Sequence, residues 1–368
     1  MKVVIVLNNL RVANGVATTI MNQYDALIEN HIKVDFIQFL QFDSPYVDRI
    51  KQNGGEIYLI SKDINGIKQI KQILEKEQYD IVHINQVNYH TVCMAMMAHH
   101  CGVKKIIFHS HNTKIPGGLK RNILEKVCNI VYSIFADELI ACSAQAGKDS
   151  FGKHKFIILK NAIDISKFRF DEDVRKSVCK ELEIKEDTFV VGTVCRYARQ
   201  KNPLFMIDIM AEIIKIRPNS KFLWIGSAPK ENDPLLEQIK KHIKMYNIED
   251  KILLVGSKTD VEKWYSAMDV FMMPSIWEGL GITYIEAQAN SLPTYASTVV
   301  PRDTNITPLI SYLSLSDSAK TWADAICSNG IRSHCEIVNY YENFARLGYD
   351  LQFSRCDLFN IYKNCLKQ

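Results

Sequence analysis

Short β-branched runs alternate with helix-length stretches along this chain, and that rhythm constrains the fold more than any other feature. VVIVL (3–7), VDFIQF (34–39), IYLI (57–60), DIVHIN (80–85), KIIFHS (105–110), ELIACS (138–143) and KFIILK (155–160) each end in polar or glycine punctuation. Helix-length segments such as Val16–Glu29 and Ile67–Glu77 lie between several of them. Strands alternating with helices mean βαβ units and a parallel sheet. The rhythm restarts with TFVVGTVC (188–195), KFLWIG (221–226), KILLVG (251–256), VFMMP (270–274) and PTYAS (293–297), so two successive α/β blocks are expected.

A length of 368 residues agrees with two cores rather than one. The first apolar run, Val3 to Leu7, is too short for a signal-peptide core, and no stretch reaches the ~18 apolar residues of a membrane span. Ten cysteines are scattered without CxxC pairs, which predicts free thiols in a reducing cytoplasm and excludes a structural zinc framework. A net charge of +4 gives no signal for nucleic acid. The charge is uneven, however. Residues 104–126 carry six Lys/Arg against one Glu, either a solvated face or a surface for lipid head groups or a diphosphate.

The joint between blocks is expected at about residues 161–178, giving domains 1–165 and 166–349. A terminal helix within 350–368 should dock back on the first domain, because Leu358, Ile361, Tyr362 and Cys365 form one apolar stripe after a capping-box-like Ser354–Asp357. Asp171, Glu172 and Asp173 match a DxD pattern. Their place before a helical segment suits the macrodipole better than a metal.

Three loops carry candidate chemistry. The first, LNNLRVANGVATTI, runs from strand to helix through Gly15 and Val16, a geometry that aims amides at an anion. GxGxxG is absent, which argues against a nicotinamide enzyme. The second, VVGTVCRYARQKNP, places Arg196 at a strand end and Lys201 before a helix, a fork and a point charge suited to a diphosphate. The third, VFMMPSIWEGLGITYIEAQAN, brackets a turn with Gly279 and Gly281 and carries Glu278 and Glu286. Carboxylates accept hydrogen bonds from paired hydroxyls, which sugars and riboses present. His109 and His111 end a strand of the first block, where at least one could face a ligand.

Taken together, these residues resemble the retaining GT-B glycosyltransferases of family 4, in the branch that builds bacterial exopolysaccharide and capsule. Glu278 and Glu286 match the family's E-x7-E motif. NAIDISKF, RYARQKNP, FLWIGSAP and the run from ILLVGSKTD to SLP follow its second domain almost continuously. In the first domain the likeness rests on the Gly15 loop, FHSHN and LIACSAQA. Three positions depart from the common pattern: Asn14 stands in place of the first of two glycines, Cys195 before Arg196, and Ser291 before Leu-Pro.

The resemblance implies two Rossmann-like domains whose parallel sheets face across a cleft, with the C-terminal helix returning to the N-terminal domain. It implies a hexosyltransferase that takes its sugar from a nucleotide donor, expected to be UDP-linked. Arg196 and Lys201 hold the diphosphate, helped by amides across Gly279, Leu280, Gly281, Ile282 and Thr283. Glu286 binds the ribose and Glu278 the sugar. His109, rather than His111, sits over the donor sugar. Gly256, Ser257 and Lys258 lie near the base, and Gly15 and Val16 close the site. No metal or other cofactor is required. The partners implied are a nucleotide sugar and a lipid-linked glycan, and the charge asymmetry of 104–126 adds the expectation of peripheral binding to an anionic membrane at its cytoplasmic face. A nucleotide-sugar 2-epimerase or a non-catalytic binder of the same fold are the alternatives.

Overall fold

The structure, a computed structural model, describes the chain except residues 13, 86–88, 112–129, 229–232, 333–336 and 368; of residues 89 and 90 it describes the backbone only. The chain divides into two compact units, Met1–Ala162 with Leu351–Gln368, and Ile163–Asp350.

The first unit holds a seven-stranded parallel sheet, from β1 (Lys2–Leu7), β2 (Lys33–Gln38), β3 (Ile57–Leu59), β4 (Ile81–Ile84), β5 (Lys105–Ser110), β6 (Glu138–Ala141) and β7 (Ile157–Ile158), in the order β3-β2-β1-β4-β5-β6-β7. Side chains alternate between its two buried faces. Val4, Val6, Val82, Ile84, Ile106 and Phe108 join one core. Val3, Ile5, Leu7, Ile81, Ile107 and Ile140 join the other. Burial on both faces explains why these strands read as continuous apolar runs.

The terminal helix Asp357–Cys365 closes the second of those cores through Leu358, Tyr362 and Cys365, packing beside the helix Gly15–Glu29. Each such large side chain contributes roughly 1.5–3 kcal/mol on burial. The expected capping box does not form. Ser354 lies in a preceding helical turn, and Cys356 occupies the cap position without a side-chain bond. Gln23 substitutes from the neighbouring helix: its Oε1 accepts from the Leu358 amide at 3.3 Å, and its Nε2 donates to Ser354 O at 3.1 Å. A tertiary contact therefore does the work expected of a local one.

The second unit holds a six-stranded parallel sheet of β8 (Phe189–Val194), β9 (Ser220–Ile225), β10 (Ile252–Gly256), β11 (Val270–Met273), β12 (Thr294–Ser297) and β13 (Ile310–Leu313), in the order β10-β9-β8-β11-β12-β13. β13 escapes the sequence reading because ISYL is a half-exposed edge strand without a continuous apolar run. Asp171 is the N-cap of the helix Glu172–Glu181, accepting from the amides of Asp173 at 2.9 Å and Val174 at 3.0 Å. Its carboxylate is thus committed to the helix.

Ser291 carries a testable strain. The helix Ile282–Ala289 ends in a Schellman motif, Leu292 N to Ala287 O and Ser291 N to Gln288 O, both 2.9 Å. That motif wants glycine at the left-handed position, but Ser291 holds it at φ 59, with its hydroxyl buried and without a partner among the described residues. Ser291→Gly is expected to stabilise the second unit by about 1 kcal/mol, read as a higher denaturant midpoint; an unchanged midpoint would show that the strain is not real.

Candidate active site

In the second sheet the strand order reverses between β8 and β11. Open α/β sheets bind ligands at the carboxyl end of such a reversal. The Arg196–Lys201 loop leaves β8 there, and the Ser275–Gly281 loop leaves β11.

The β8 loop is fixed from below. Tyr197 is buried edge-on to Trp224, with ring centroids 4.9 Å apart, and its amide donates to Ser227 O at 3.2 Å. Trp224 Nε1 donates to Cys195 O at 3.1 Å. Gly226 makes this packing possible, since a Cβ there would stand 1.9 Å from Cys195 O. With Tyr197 turned inward, Arg196 is turned to solvent, exposed and without an ion pair among the described residues.

Glu278 is almost fully buried yet surrounded by donors. Its Oε1 accepts from Lys201 Nζ at 2.5 Å and from Ser275 Oγ at 2.7 Å, and its Oε2 accepts from Gln200 Nε2 at 3.2 Å. Gln200 also donates to Trp277 O at 2.9 Å, and its own carbonyl accepts from the Ile276 amide at 2.8 Å. The two loops are therefore stitched together, and a buried carboxylate with a matched lysine avoids the penalty of an unpaired charge. Glu278 is not a helix cap, because Gly281 takes that position.

Glu286 lies within the helix Ile282–Ala289 and is buried as well. Tyr265 OH donates to its Oε2 at 2.6 Å, and Oε1 has no hydrogen-bond partner among the described residues. Burial pushes the Glu286 carboxyl up to about 7, opposed by the Tyr265 hydrogen bond. A carboxyl raised in the fold stabilises it below the unfolded value of 4.5 and loses that contribution as pH climbs through about 7. A ligand hydroxyl donating to Oε1 favours the ionised form. Nucleotide affinity is therefore expected to rise as pH increases through about 7, with proton release on binding, and Glu286→Gln should flatten the profile. Calorimetry in buffers of different ionisation enthalpy would measure this, and a flat wild-type profile would remove Glu286 from the binding site.

Between the two glutamates, Gly279 and Leu280 are buried in the turn and Gly281, Ile282 and Thr283 are half-exposed. Gly281 adopts φ +87 and caps the helix without a side chain, so the first helical amides begin with no side-chain acceptor. Gly256, with φ +77, accepts from the Gly226 amide at 2.9 Å. Ser257 Oγ lies 2.7 Å from Ser227 Oγ, and Lys258 Nζ sits 4.4 Å over the Trp264 ring. These residues share the carboxyl edge of the sheet with Arg196 and Glu278.

In the first unit the Gly15 loop differs from expectation. Asn14 caps the helix Gly15–Glu29, its Oδ1 accepting from the Val16 amide at 3.0 Å. That amide is already satisfied, so Val16 does not offer a free donor to an anion. His109 is fully buried on β5, on the face shared with Tyr362, and His111 follows just beyond the strand. The His109 and His111 rings lie 3.9 Å apart, and the His83 ring stacks on His109 at 5.3 Å. Burial holds His83 and His111 at about 3 and His109 well below its ordinary value. All three are neutral at physiological pH.

Sequence reasoning missed Gln200, Ser275 and Tyr265. Gln200 stands beside Lys201 in RYARQKNP, a signal that was there to use. Tyr265 reaches Glu286 from the helix Val261–Ser266, and nothing in the local sequence announces that contact.

Two family models match the chain: one described as "Glycosyltransferase Family 4" over residues 13–167, one as "Glycosyl transferases group 1" over residues 188–328. The chain is 25% identical over 362 residues to EpsF of Bacillus subtilis (strain 168), provisionally named a glycosyltransferase, covering 95% of this chain and 93% of that protein. It is 27% identical over 255 residues to the UDP-Gal:alpha-D-GlcNAc-diphosphoundecaprenol alpha-1,3-galactosyltransferase of Escherichia coli, covering 65% of this chain and 62% of that one. Among solved structures, Anabaena Alr3699/HepE in complex with UDP and glucose superposes with a TM-score of 0.82 at 15% identity, over 99% of this chain and 100% of that one. WaaG, a glycosyltransferase involved in lipopolysaccharide biosynthesis, superposes at 0.68 and 14% identity, over 96% and 94%. With a glycosyltransferase model matching each of its two parallel-sheet units, the chain belongs to the family 4 glycosyltransferases of GT-B fold.

Proposed function

We propose that this enzyme moves a hexosyl group, with retention, from a UDP-linked donor to a lipid-linked oligosaccharide in surface-polysaccharide synthesis. The observation that carries the proposal is the set Arg196, Lys201, Glu278 and Glu286 at one strand reversal: two cations for a diphosphate and two buried carboxylates for hydroxyls. The donor and acceptor classes draw support from the UDP and glucose of the HepE complex and from the diphosphoundecaprenol in the name of the Escherichia coli relative.

Arg196 and Lys201 hold the donor diphosphate and stabilise charge as it leaves. Glu286 accepts from the ribose hydroxyls through Oε1, and Glu278 accepts from the sugar. Lys201 then divides its charge between Glu278 and phosphate. His109, whose two ring nitrogens have no partner among the described residues, is the first unit's contact to the sugar in this reading. Gly256, Ser257 and Lys258 contact the base. The C1–O bond to the diphosphate breaks while the acceptor oxygen bonds C1 from the same face. The acceptor proton passes to a phosphate oxygen of the departing nucleotide, so no carboxylate nucleophile is needed. Fixed cations serve where other transferases use a metal, in keeping with the capping role of Asp171.

Among the described residues no helix is long and apolar enough to cross a membrane. Peripheral binding to an anionic membrane through 104–126 belongs to the proposal. Within that run Lys104 and Lys105 pair with Asp80 and Asp137, and Lys114, Lys120, Arg121 and Lys126 lie outside the described residues.

The test is a thermal-shift screen against UDP, GDP, ADP and their sugars, with and without EDTA. At about 100 times its dissociation constant a ligand adds roughly 2.7 kcal/mol. A selective shift by UDP compounds that EDTA leaves intact is expected. No shift with any nucleotide would overturn the donor site, and loss of the shift in EDTA would overturn its metal independence.

A further inference from the structure

The loop Gly256–Lys258 leads into the helix Val261–Ser266, which the mechanism above does not use. Trp264 and Tyr265 are both buried there. Trp264 takes the Lys258 ammonium 4.4 Å over its ring, and Tyr265 sends its hydroxyl to Glu286 Oε2 at 2.6 Å. Adjacent residues of one short helix therefore touch the loop assigned to the base and the carboxylate assigned to the ribose.

The helix is firmly held. Arg175 donates through Nη1 to Ser266 O and Met268 O, both at 3.2 Å, and through Nη2 to Asp269 Oδ1 at 2.8 Å. Asp269 Oδ2 accepts in turn from the Val190 amide of β8 at 2.7 Å. A buried ion pair of this kind adds little stability of its own, but it fixes the backbone it bonds. The Tyr265 ring meets those of Phe168 and Phe271 at 5.8 Å and 6.0 Å between centroids. With backbone and ring both fixed, the hydroxyl oxygen is fixed too. Burial first, and the Glu286 charge second, push the Tyr265 phenol well above its ordinary value, so it keeps its proton and stays a donor. Glu286 is the opposite case: a side chain with three rotatable bonds, to whose carboxyl Tyr265 makes the one hydrogen bond among the described residues.

We propose that Tyr265 is a positioning residue for donor binding, its hydroxyl on Oε2 fixing the Glu286 carboxylate so that Oε1 is presented to the ribose. The ribose part rests on the transferase reading above; the pairing does not. The hydrogen bond also favours the carboxylate over the acid, against burial. Besides Tyr265, the titratable group that bears on this carboxyl among the described residues is Glu262 of the same helix, whose charge raises it. Cys195, which bears on Tyr265 from the end of β8, is a thiol pushed up to about 11 by burial.

Carboxyl carbon NMR on the full-length protein without nucleotide reads the Glu286 midpoint directly. Tyr265→Phe keeps the ring and removes the hydroxyl. It should move the midpoint up from about 7 by roughly one to two units, the worth of a hydrogen bond to a charge. Its UDP affinity at pH 7 should fall roughly tenfold or more by calorimetry. Its kcat at saturating donor should hold, because the ribose contact serves ground and transition states alike. Tyr265→3-fluorotyrosine, whose more acidic hydroxyl donates more strongly, should move the midpoint down, and carries the test if the phenylalanine variant does not fold. A lower melting temperature with an unmoved midpoint would make Tyr265 a core residue alone and overturn the proposal. Wild-type UDP affinity in Tyr265→Phe would overturn it as well. A midpoint that moves in a protein that binds no nucleotide would uphold Tyr265 as the residue that positions Glu286 and remove the ribose from the reading.

Discussion

Arg196→Ala is expected to lower kcat/KM by roughly 10²–10³ while leaving the fold untouched, because the two consequences of this side chain are separable. Arg196 is exposed and makes no ion pair among the described residues, so its loss should change stability by less than about 0.5 kcal/mol. The buried neighbours Tyr197 and Trp224, not Arg196, hold the loop. On the proposed reading its guanidinium gains partners only when a diphosphate arrives, and gains most as negative charge builds on the leaving group. The loss should fall on kcat as well as on donor affinity. Arg196→Lys, which keeps charge but not the planar fork, should recover only part of it. Turnover within a few-fold of wild type would remove Arg196 from the reaction.

Glu278→Ala should cost both activity and stability. The substitution strands Lys201, largely buried beside it, and leaves Ser275 and Gln200 without their acceptor. Breaking such a pair costs about 3 kcal/mol, lessened here by whatever water Lys201 can reach. Glu278→Gln separates the two effects. It keeps shape and one acceptor oxygen, so most stability should return while the charge that pairs with Lys201 and, on the proposed reading, accepts from the sugar does not. Steady-state kinetics beside a denaturation curve for both variants would decide. Wild-type turnover in Glu278→Gln would make the carboxylate a structural ion-pair partner only.

How far the sequence is legible follows from the range of the forces involved. Continuous apolar runs such as VVIVL and KIIFHS announced strands buried on both faces, because a parallel sheet covered by helices leaves no polar side to interrupt the run. ISYL at 310–313 was illegible for the opposite reason: an edge strand alternates, and four residues are too few to show it. The terminal stripe Leu358, Ile361, Tyr362 and Cys365 was readable from its spacing. Its cap was not, since Gln23 supplies it from more than 300 residues away.

The candidate site divides along the same line. Local sequence marked Arg196 and Lys201 as cations following an apolar strand, and Glu278 and Glu286 as carboxylates around a glycine-bracketed turn, while the family resemblance supplied their expected roles. Spacing also put each loop at a strand's carboxyl end. Only the tertiary structure decided that the β8 and β11 loops are neighbours, that Gln200 stitches them, that Tyr265 occupies one oxygen of Glu286, and that Asn14 already satisfies the Val16 amide. Likewise, His111 is paired with Asn85, which follows the neighbouring strand. Strand order and hydrogen-bond pairing are set by packing between segments far apart in the chain, and no local pattern encodes which donor will meet which acceptor.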